Sequence, residues 1–364
     1  ISGIVITRYG HGGACRDVEV VEAAHPVSDE AGIAATKAMI ARLDNLSADD
    51  LVLCLMSGGG SALMVSPAPG VSLADKQAVT KALLKSGAPI AAINCVRKHL
   101  SAIKGGRLAM LAQPATLLTL AISDVPGDDP ALIASGPTIA DPSTRADALE
   151  ILDRYAIEAS ASVRAWLNDP ASETPKVVSE KSTYIVVASA RQALEAAAEV
   201  AHANGIQPYI LGDAIEGEAR AVGTEHAALV RDILAGRGPV QAPCVLISGG
   251  ETTVTVRGAG RGGRNSEYLL ALGIALDGAE GVYALAADTD GIDGVEDNAG
   301  AVIGPDLLAR AHTANLNAAD HLANNDAYSL FRELDALVVT GPTRTNVNDF
   351  RAILIAPTMP KETP

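Results

Sequence analysis

The string Arg261-Gly262-Gly263-Arg264-Asn265-Ser266-Glu267 sets an arginine between two glycines and the head of an expected helix running from about Asn265 to Leu276. An arginine there adds a rigid fork of donors to the positive end of a helix, which suits a phosphate or a carboxylate. Arg264 is the candidate catalytic group, with Asn265 beside it as a binding group; the structural alternative is a salt bridge from Arg264 to Glu251 or Glu267. Two further cations stand in unusual company. Arg97 lies in Asn94-Cys95-Val96-Arg97-Lys98-His99, expected to be helical, and Lys104 lies in Ile103-Lys104-Gly105-Gly106-Arg107 at the end of that helix.

Glycine-rich strings follow two apolar runs. Leu51–Met56 breaks into Ser57-Gly58-Gly59-Gly60-Ser61, and Cys244–Ile247 breaks into Ser248-Gly249-Gly250-Glu251. Consecutive glycines let a backbone approach a ligand closely, and their amides can form an anion-binding concavity. Ser57, Gly58, Gly59, Gly60, Ser61, Ser248, Gly249 and Gly250 are thus expected at turns that bind phosphate or substrate. Near the carboxyl end, Thr343 and Asn346 are candidate binding groups in the polar loop Gly341–Asp349.

Carboxylates also gather after strands. Asp124 follows Leu117–Ile122, and Asp288 and Asp293 follow Val282–Ala287. Magnesium is held by one or two carboxylates together with substrate phosphates, so these three are the candidate metal neighbourhood. Their competing reading is turn chemistry, for which Asp and Gly are favoured residues. The string from Asp288 lacks the closing Glu of a calcium loop, since the twelfth position is Ala299.

Other chemistries lose support. There is no GxxxxGK[ST] loop, no GxGxxG fingerprint, no HExxH pair and no GxSxG elbow. The chain has 364 residues, 48% of them hydrophobic and 20% charged, with a formal net charge of −15. That length allows two domains, and that charge argues against nucleic acid as a partner. No run approaches about 18 apolar residues, so no membrane span is expected. Cys15, Cys54, Cys95 and Cys244 are far apart and read as inert core thiols of a cytoplasmic protein. The opening Ile1-Ser2-Gly3-Ile4-Val5-Ile6 reads as the middle of a strand, so a natural start upstream of Ile1 is expected.

The elements that must position these residues alternate between strand and helix, the pattern of an α/β protein. Strands are expected at Gly3–Thr7, Val18–Glu22, Leu51–Met56 (a buried strand) and Ala115–Ser123. Helices are expected at about Asp29–Leu43, Leu73–Ser86 (capped by Ser72, with Asp75 in its first turn), Ile90–Ile103 and Ala146–Tyr155. Asn168–Ser182, rich in Pro, Ser, Glu and Lys, reads as a linker or surface loop and suggests domains at 1–175 and 176–364. Beyond it come a strand at Tyr184–Ala188, a helix at Arg191–Ala203, a strand at Pro208–Leu211 and a helix from about Glu216 to Leu234. Strands at Val282–Ala287, Ala336–Val339 and Ala352–Ile355 complete the second half.

Eight strings taken together carry a resemblance: LCLMSGGGSAL, KQAVTKALLKSGA, INCVRKHLSAIKGGRLA, ISDVPGDDPALIASGPT, VLISGGETTVTV, GGRNSEYLLAL, ADTDGIDG and GPTRTNVNDF. The chain resembles the class II glycerate 2-kinase family, also labelled MOFRL or hydroxypyruvate reductase of the tartrate pathway, over nearly its whole length. The resemblance implies an ATP- and Mg²⁺-dependent kinase that makes 2-phosphoglycerate from D-glycerate. It also implies two three-layer α/β/α domains, the first with a largely parallel Rossmann-like sheet and the second with a smaller mixed sheet, the active site lying in the cleft between them. The family's catalytic arginine falls on Arg264 and its SGGGS turn on Ser57–Ser61, while its catalytic lysine lies in a segment upstream of Ile1. Ser266 stands where Gln is usual, and Arg344 where a small residue is common.

Phosphoryl transfer needs positioning and charge neutralisation more than a nucleophile, which matches glycine turns, cations and Asp clusters. Two rivals remain: an NAD(P)H-dependent hydroxypyruvate reductase, and a non-catalytic anion-binding module. The partners expected are glycerate and a nucleotide, with homodimer formation left open.

Overall fold

The structure, a computed structural model, describes residues 1–356. The chain divides into two compact units, Ile1–Val187 and Ala188–Pro364. The strand Ser182–Ala188, expected to open the second domain, instead joins the sheet of the first. The preceding stretch is not a free linker, since Ser172 and Thr174 are buried and the Arg107 guanidinium donates to the Ser172 carbonyl at 2.7 Å.

The first unit holds two small sheets. Strands β1 (Gly3–Arg8) and β2 (Val18–Ala23) form a parallel pair. Strands β3 (Leu51–Met56), β4 (Thr116–Ile122) and β5 (Ser182–Ala188) form the other, with β3 parallel to β4 in the register Leu51↔Thr116 to Met56↔Ala121. One face of this sheet packs Met56, Ala121, Cys54, Tyr184 and Val186 into a core with Met64, Ile103 and Leu108. Leu51, Leu53 and Leu55 point to the other face and are exposed, so β3 is half-buried rather than the buried strand its apolar run suggested. Among the described residues no element covers that face. Helix Leu73–Lys85 begins at the expected place, where Ser72 and Asp75 form a reciprocal capping box.

The second unit carries one mixed sheet, larger and not smaller than those of the first. Its order is β10-β9-β8-β11-β7-β6, comprising β6 (Gln207–Glu218), β7 (Cys244–Thr253), β8 (Val282–Asp288), β9 (Gly300–Ile303), β10 (Leu337–Val338) and β11 (Asp349–Ile355). Only β6 and β7 run parallel; the other pairs are antiparallel. The period of two sorts the side chains of β7. Cys244 and Leu246 pack into a core with helices Ala219–Leu234 and Arg264–Leu276, while Val245 and Ile247 pack against Leu194 of helix Ala190–Ala203. The result is three layers. No helix is long and apolar enough, among the described residues, to cross a membrane.

Two expectations about this sheet need correction. Ser248, Gly249 and Gly250 do not form a turn; β7 runs on through Thr253, with Ser248 opposite Arg351 and Gly250 opposite Asp349. Gly250 serves close approach of backbone: it has φ of +128°, and a Cβ there would lie 2.2 Å from the amide nitrogen of Ile215, where β6 bulges. The helix expected from Glu216 starts at Ala219, because Ile215–Glu218 stay paired with Gly250–Thr253. Gly250→Ala is therefore expected to cost roughly 2–5 kcal/mol through strain and overpacking, read from denaturant unfolding. A variant as stable as the parent would show that the β6 bulge yields.

Candidate functional site

Arg264 is the first residue of helix Arg264–Leu276. Its residue before, Gly263, provides no side-chain cap. Asp293 does that work from a distant loop, accepting the amides of Asn265 and Ser266 at 2.9 Å each and the Ser266 hydroxyl at 2.6 Å. A Cβ on Gly263 would sit 2.4 Å from the Asp293 carboxyl carbon, so the glycine makes room for the cap. Asp293 is thus committed to the helix head, and burial raises its pKa against those hydrogen bonds.

The Arg264 fork meets three carboxylates. Its Nε donates to Asp349 at 2.7 Å, and its two terminal nitrogens donate to Asp288 at 2.7 Å and Glu251 at 2.9 Å. Burial works against the charge of the guanidinium, yet Asp349 and Asp288, with Glu251, raise its pKa above the ordinary arginine value. Of the salt-bridge partners considered, Glu251 is used, while Glu267 pairs with Arg220 at 2.7 Å. Asp288 is pushed up by burial, with the charges of Asp290 and Asp349 adding to that shift.

Asp349 joins these groups. Besides Arg264 it accepts the Asn265 side-chain amide at 2.8 Å, the Thr252 amide at 3.3 Å and the guanidinium of the buried Arg351. The Asn265 side-chain oxygen is buried with no hydrogen-bond partner among the described residues. Thr343 donates its amide to the Asp290 carbonyl at 3.0 Å and its hydroxyl to the Thr289 carbonyl at 2.5 Å, tying the 339–348 loop to the turn after β8. The Asn346 side chain accepts the Asn348 amide at 2.9 Å and so supports its own loop.

A second cluster lies within the first unit. After β3, Ser57-Gly58-Gly59 turns into the four-residue helix Gly60–Leu63, and the Gly60 amide donates to the Ser57 carbonyl at 3.3 Å. The Ser61 hydroxyl accepts from Arg97 at 2.8 Å and lies 2.7 Å from the Ser135 hydroxyl. Ala134, Ser135 and Gly136 all have φ between +51° and +64°, a strained run that turns the Ala134 carbonyl to accept the Lys104 ammonium at 3.0 Å. Lys76 donates to the Leu100 carbonyl at 3.3 Å. Burial lowers the pKa of Lys76 to about 7, with a further push from Arg97; burial, then Lys76 and Arg97, lowers that of Lys104 well below the ordinary lysine value.

The expected residues therefore separate. Arg264, Asn265 and Asp288 meet in the second unit, with Thr343 hydrogen-bonded to the turn that follows Asp288. Ser61, Arg97 and Lys104 meet in the first. Asp124 stands in the first unit after β4, half-buried. Among the described residues no three His, Cys, Asp or Glu side chains are arranged to hold a metal ion. All four cysteines are free, and Cys15 is exposed rather than in a core. Sequence reasoning missed Asp349, Arg351, Lys76 and Ser135. A signal existed for Lys76: it shares the buried stripe of its helix with Val79 and Leu83.

Both halves of the chain match known families. Residues 1–168 match the family described as "Domain of unknown function (DUF4147)", and residues 244–349 match the MOFRL family. A protein of Agrobacterium vitis named "Putative hydroxypyruvate reductase" is 53% identical over 359 residues, covering 98% of this chain and 92% of the relative. The D-glycerate 2-kinase of Thermotoga maritima is 42% identical over 348 residues, covering 95% and 82%. A crystal structure of glycerate kinase from Thermotoga maritima superposes with a TM-score of 0.91 at 43% identity, covering 98% of this chain and 85% of that one. Likeness of this extent, in sequence and in fold, makes this chain a member of the glycerate 2-kinase family.

Proposed function

We propose that the chain transfers a phosphoryl group from ATP to D-glycerate, giving 2-phosphoglycerate. The observation that carries this reading is Arg264: a guanidinium held at a helix head, two of its arms fixed on the buried Asp349 and Asp288 and the third on the exposed Glu251. The Glu251 arm is the one a phosphate oxygen can take over without breaking the buried pairs. Phosphoryl transfer asks for such a preoriented cation near the transferred group. In the first unit Arg97, Lys104 and Ser61 form a cationic, hydroxyl-bearing surface for the acceptor or the phosphates.

Magnesium needs only one or two carboxylates when phosphates complete its coordination, and one carboxylate beside Arg264 is a candidate for it. Burial raises the pKa of Asp288, the charges of Asp290 and Asp349 add to that shift, and a divalent cation would oppose it. Asp288 is our candidate ligand there; Asp293 is set aside because its oxygens serve the helix head. Bound magnesium would neutralise phosphate charge, with phosphate oxygens completing its coordination. We place this chemistry in a reducing cytoplasm, in keeping with four free cysteines.

Two assays on one preparation test the reading. The expected result is ADP release dependent on D-glycerate and magnesium, with no NADH or NADPH oxidation on hydroxypyruvate. Cofactor oxidation without ADP release would make the chain a reductase. Substrate binding with neither reaction would make it an anion-binding module.

A further inference from the structure

Three cations in the first unit have no counter-ion. Lys76 and Lys104 are 7% and 1% exposed, and Arg97 is half-buried. Among the described residues none of them pairs with a carboxylate, whereas Lys98, on the same helix as Arg97, pairs with Asp141 at 3.5 Å. Burying a charge without a partner is costly, and three together repel one another besides. Such an arrangement lasts where a ligand brings the missing charge.

The neutral groups point the same way. Asn94 is 7% exposed, lies one turn before Arg97 on the same helix, and makes no side-chain hydrogen bond among the described residues. The Ser61 and Ser135 hydroxyls, 2.7 Å apart, use one of their two hydrogens on each other and leave the second to donate to another partner. Ser135 is held there by the strained run from Ala134 to Gly136. Ser61 and Arg97 are both half-buried, which opens the cluster to solvent on their side.

We propose that Lys76, Asn94, Arg97 and Lys104, with Ser61 and Ser135, form a binding site for a compact oxyanion. The carboxylate of a small hydroxy acid and a terminal phosphate of a nucleotide share that chemistry, and a guanidinium bonded to one of two adjoining hydroxyls, with two lysines near it, suits either. Assigning the oxyanion to one of these two molecules rests on the kinase reading above. The existence of the site does not. Burial and the neighbouring cations depress the pKa values of the two lysines, and an incoming anion would oppose that shift.

Lys76→Met separates a binding lysine from a structural one. The full chain and the variant are titrated calorimetrically with D-glycerate, with inorganic phosphate and with ATP in separate runs, and their ligand-free melting temperatures are compared. Removing a buried, unpaired charge is expected to raise the melting temperature while weakening at least one oxyanion about tenfold or more. Weakened D-glycerate with unchanged ATP assigns the site to the acceptor; the reverse assigns it to the nucleotide. Binding of phosphate but not of D-glycerate, with the same dependence on Lys76, would keep the site and overturn the glycerate reading. A lower melting temperature with all affinities intact would make Lys76 structural and overturn the site, as would a parent chain that binds none of the three. Should Lys76→Met fail to fold, Asn94→Ala replaces it: a several-fold loss of oxyanion affinity at unchanged stability is expected, and unchanged affinity overturns the proposal.

Discussion

Arg264→Lys is expected to lower kcat for phosphoryl transfer on the order of a thousandfold, because a positioned arginine acts on charge that peaks in the transition state. Lysine keeps the charge but offers one nitrogen where the fork offers three directions. In the structure those directions are Asp349, Asp288 and Glu251. A lysine ammonium can follow one of the buried carboxylates and cannot also reach toward the phosphate from the Glu251 side. Stability falls as well, since losing charge-assisted hydrogen bonds to two buried carboxylates costs about 1–3 kcal/mol. The decisive measurement is therefore kcat alongside unfolding free energy. A thousandfold loss of turnover far exceeds what such a destabilisation removes from a protein that stays folded. Near-normal kcat with reduced stability would make Arg264 a bracket between strands, and the catalytic assignment would fall.

Asp349→Asn is expected to produce the largest loss of stability, about 3–5 kcal/mol, because it removes one partner of a buried charge network. Asp349 and Arg351 are both almost completely buried. Among the described residues two nitrogens of Arg351 already lack a hydrogen-bond partner, and the third donates to Asp349 and Thr252. The remaining support for its charge is the Tyr268 ring, 5.1 Å from the guanidinium carbon. Asparagine preserves the shape of the carboxylate but not its charge, leaving Arg351 buried and uncompensated. Arg264 would lose the anchor on its Nε at the same time, so kcat should fall as well. Urea unfolding of parent and variant reads the first effect. A loss under about 1 kcal/mol, the worth of an ordinary neutral hydrogen bond, would show that Asp349 does not hold the network together.

Much of the fold was legible in the residues because local rules decided it. The capping box at Ser72 and Asp75, the helix after Gly263 and the strand period around Leu246 each depend on neighbours within a few positions. So does the chemistry of Arg264, whose place between glycine and helix needs no distant information. The glycines misled where their reason was distant. Gly250 lies in a strand because the Ile215 backbone crosses close to it, and nothing near it in the chain announces Ile215. The exposed leucines of β3 follow the same logic: an apolar run states that a strand forms, but its covered faces depend on what packs there.

The sequence by itself determined the family, the α/β alternation and the identity of the arginine, since each is written in contiguous strings. Only the tertiary structure decided which charges meet. It divided the expected site residues between two clusters, gave Asp293 to the helix head, set Asp349 between two arginines and left Lys76, Arg97 and Lys104 together without a counter-ion. The physical reason is range. Helix caps and strand periods are settled over one to four residues, whereas a buried charge is settled by burial and by partners that the chain brings in from dozens of positions away.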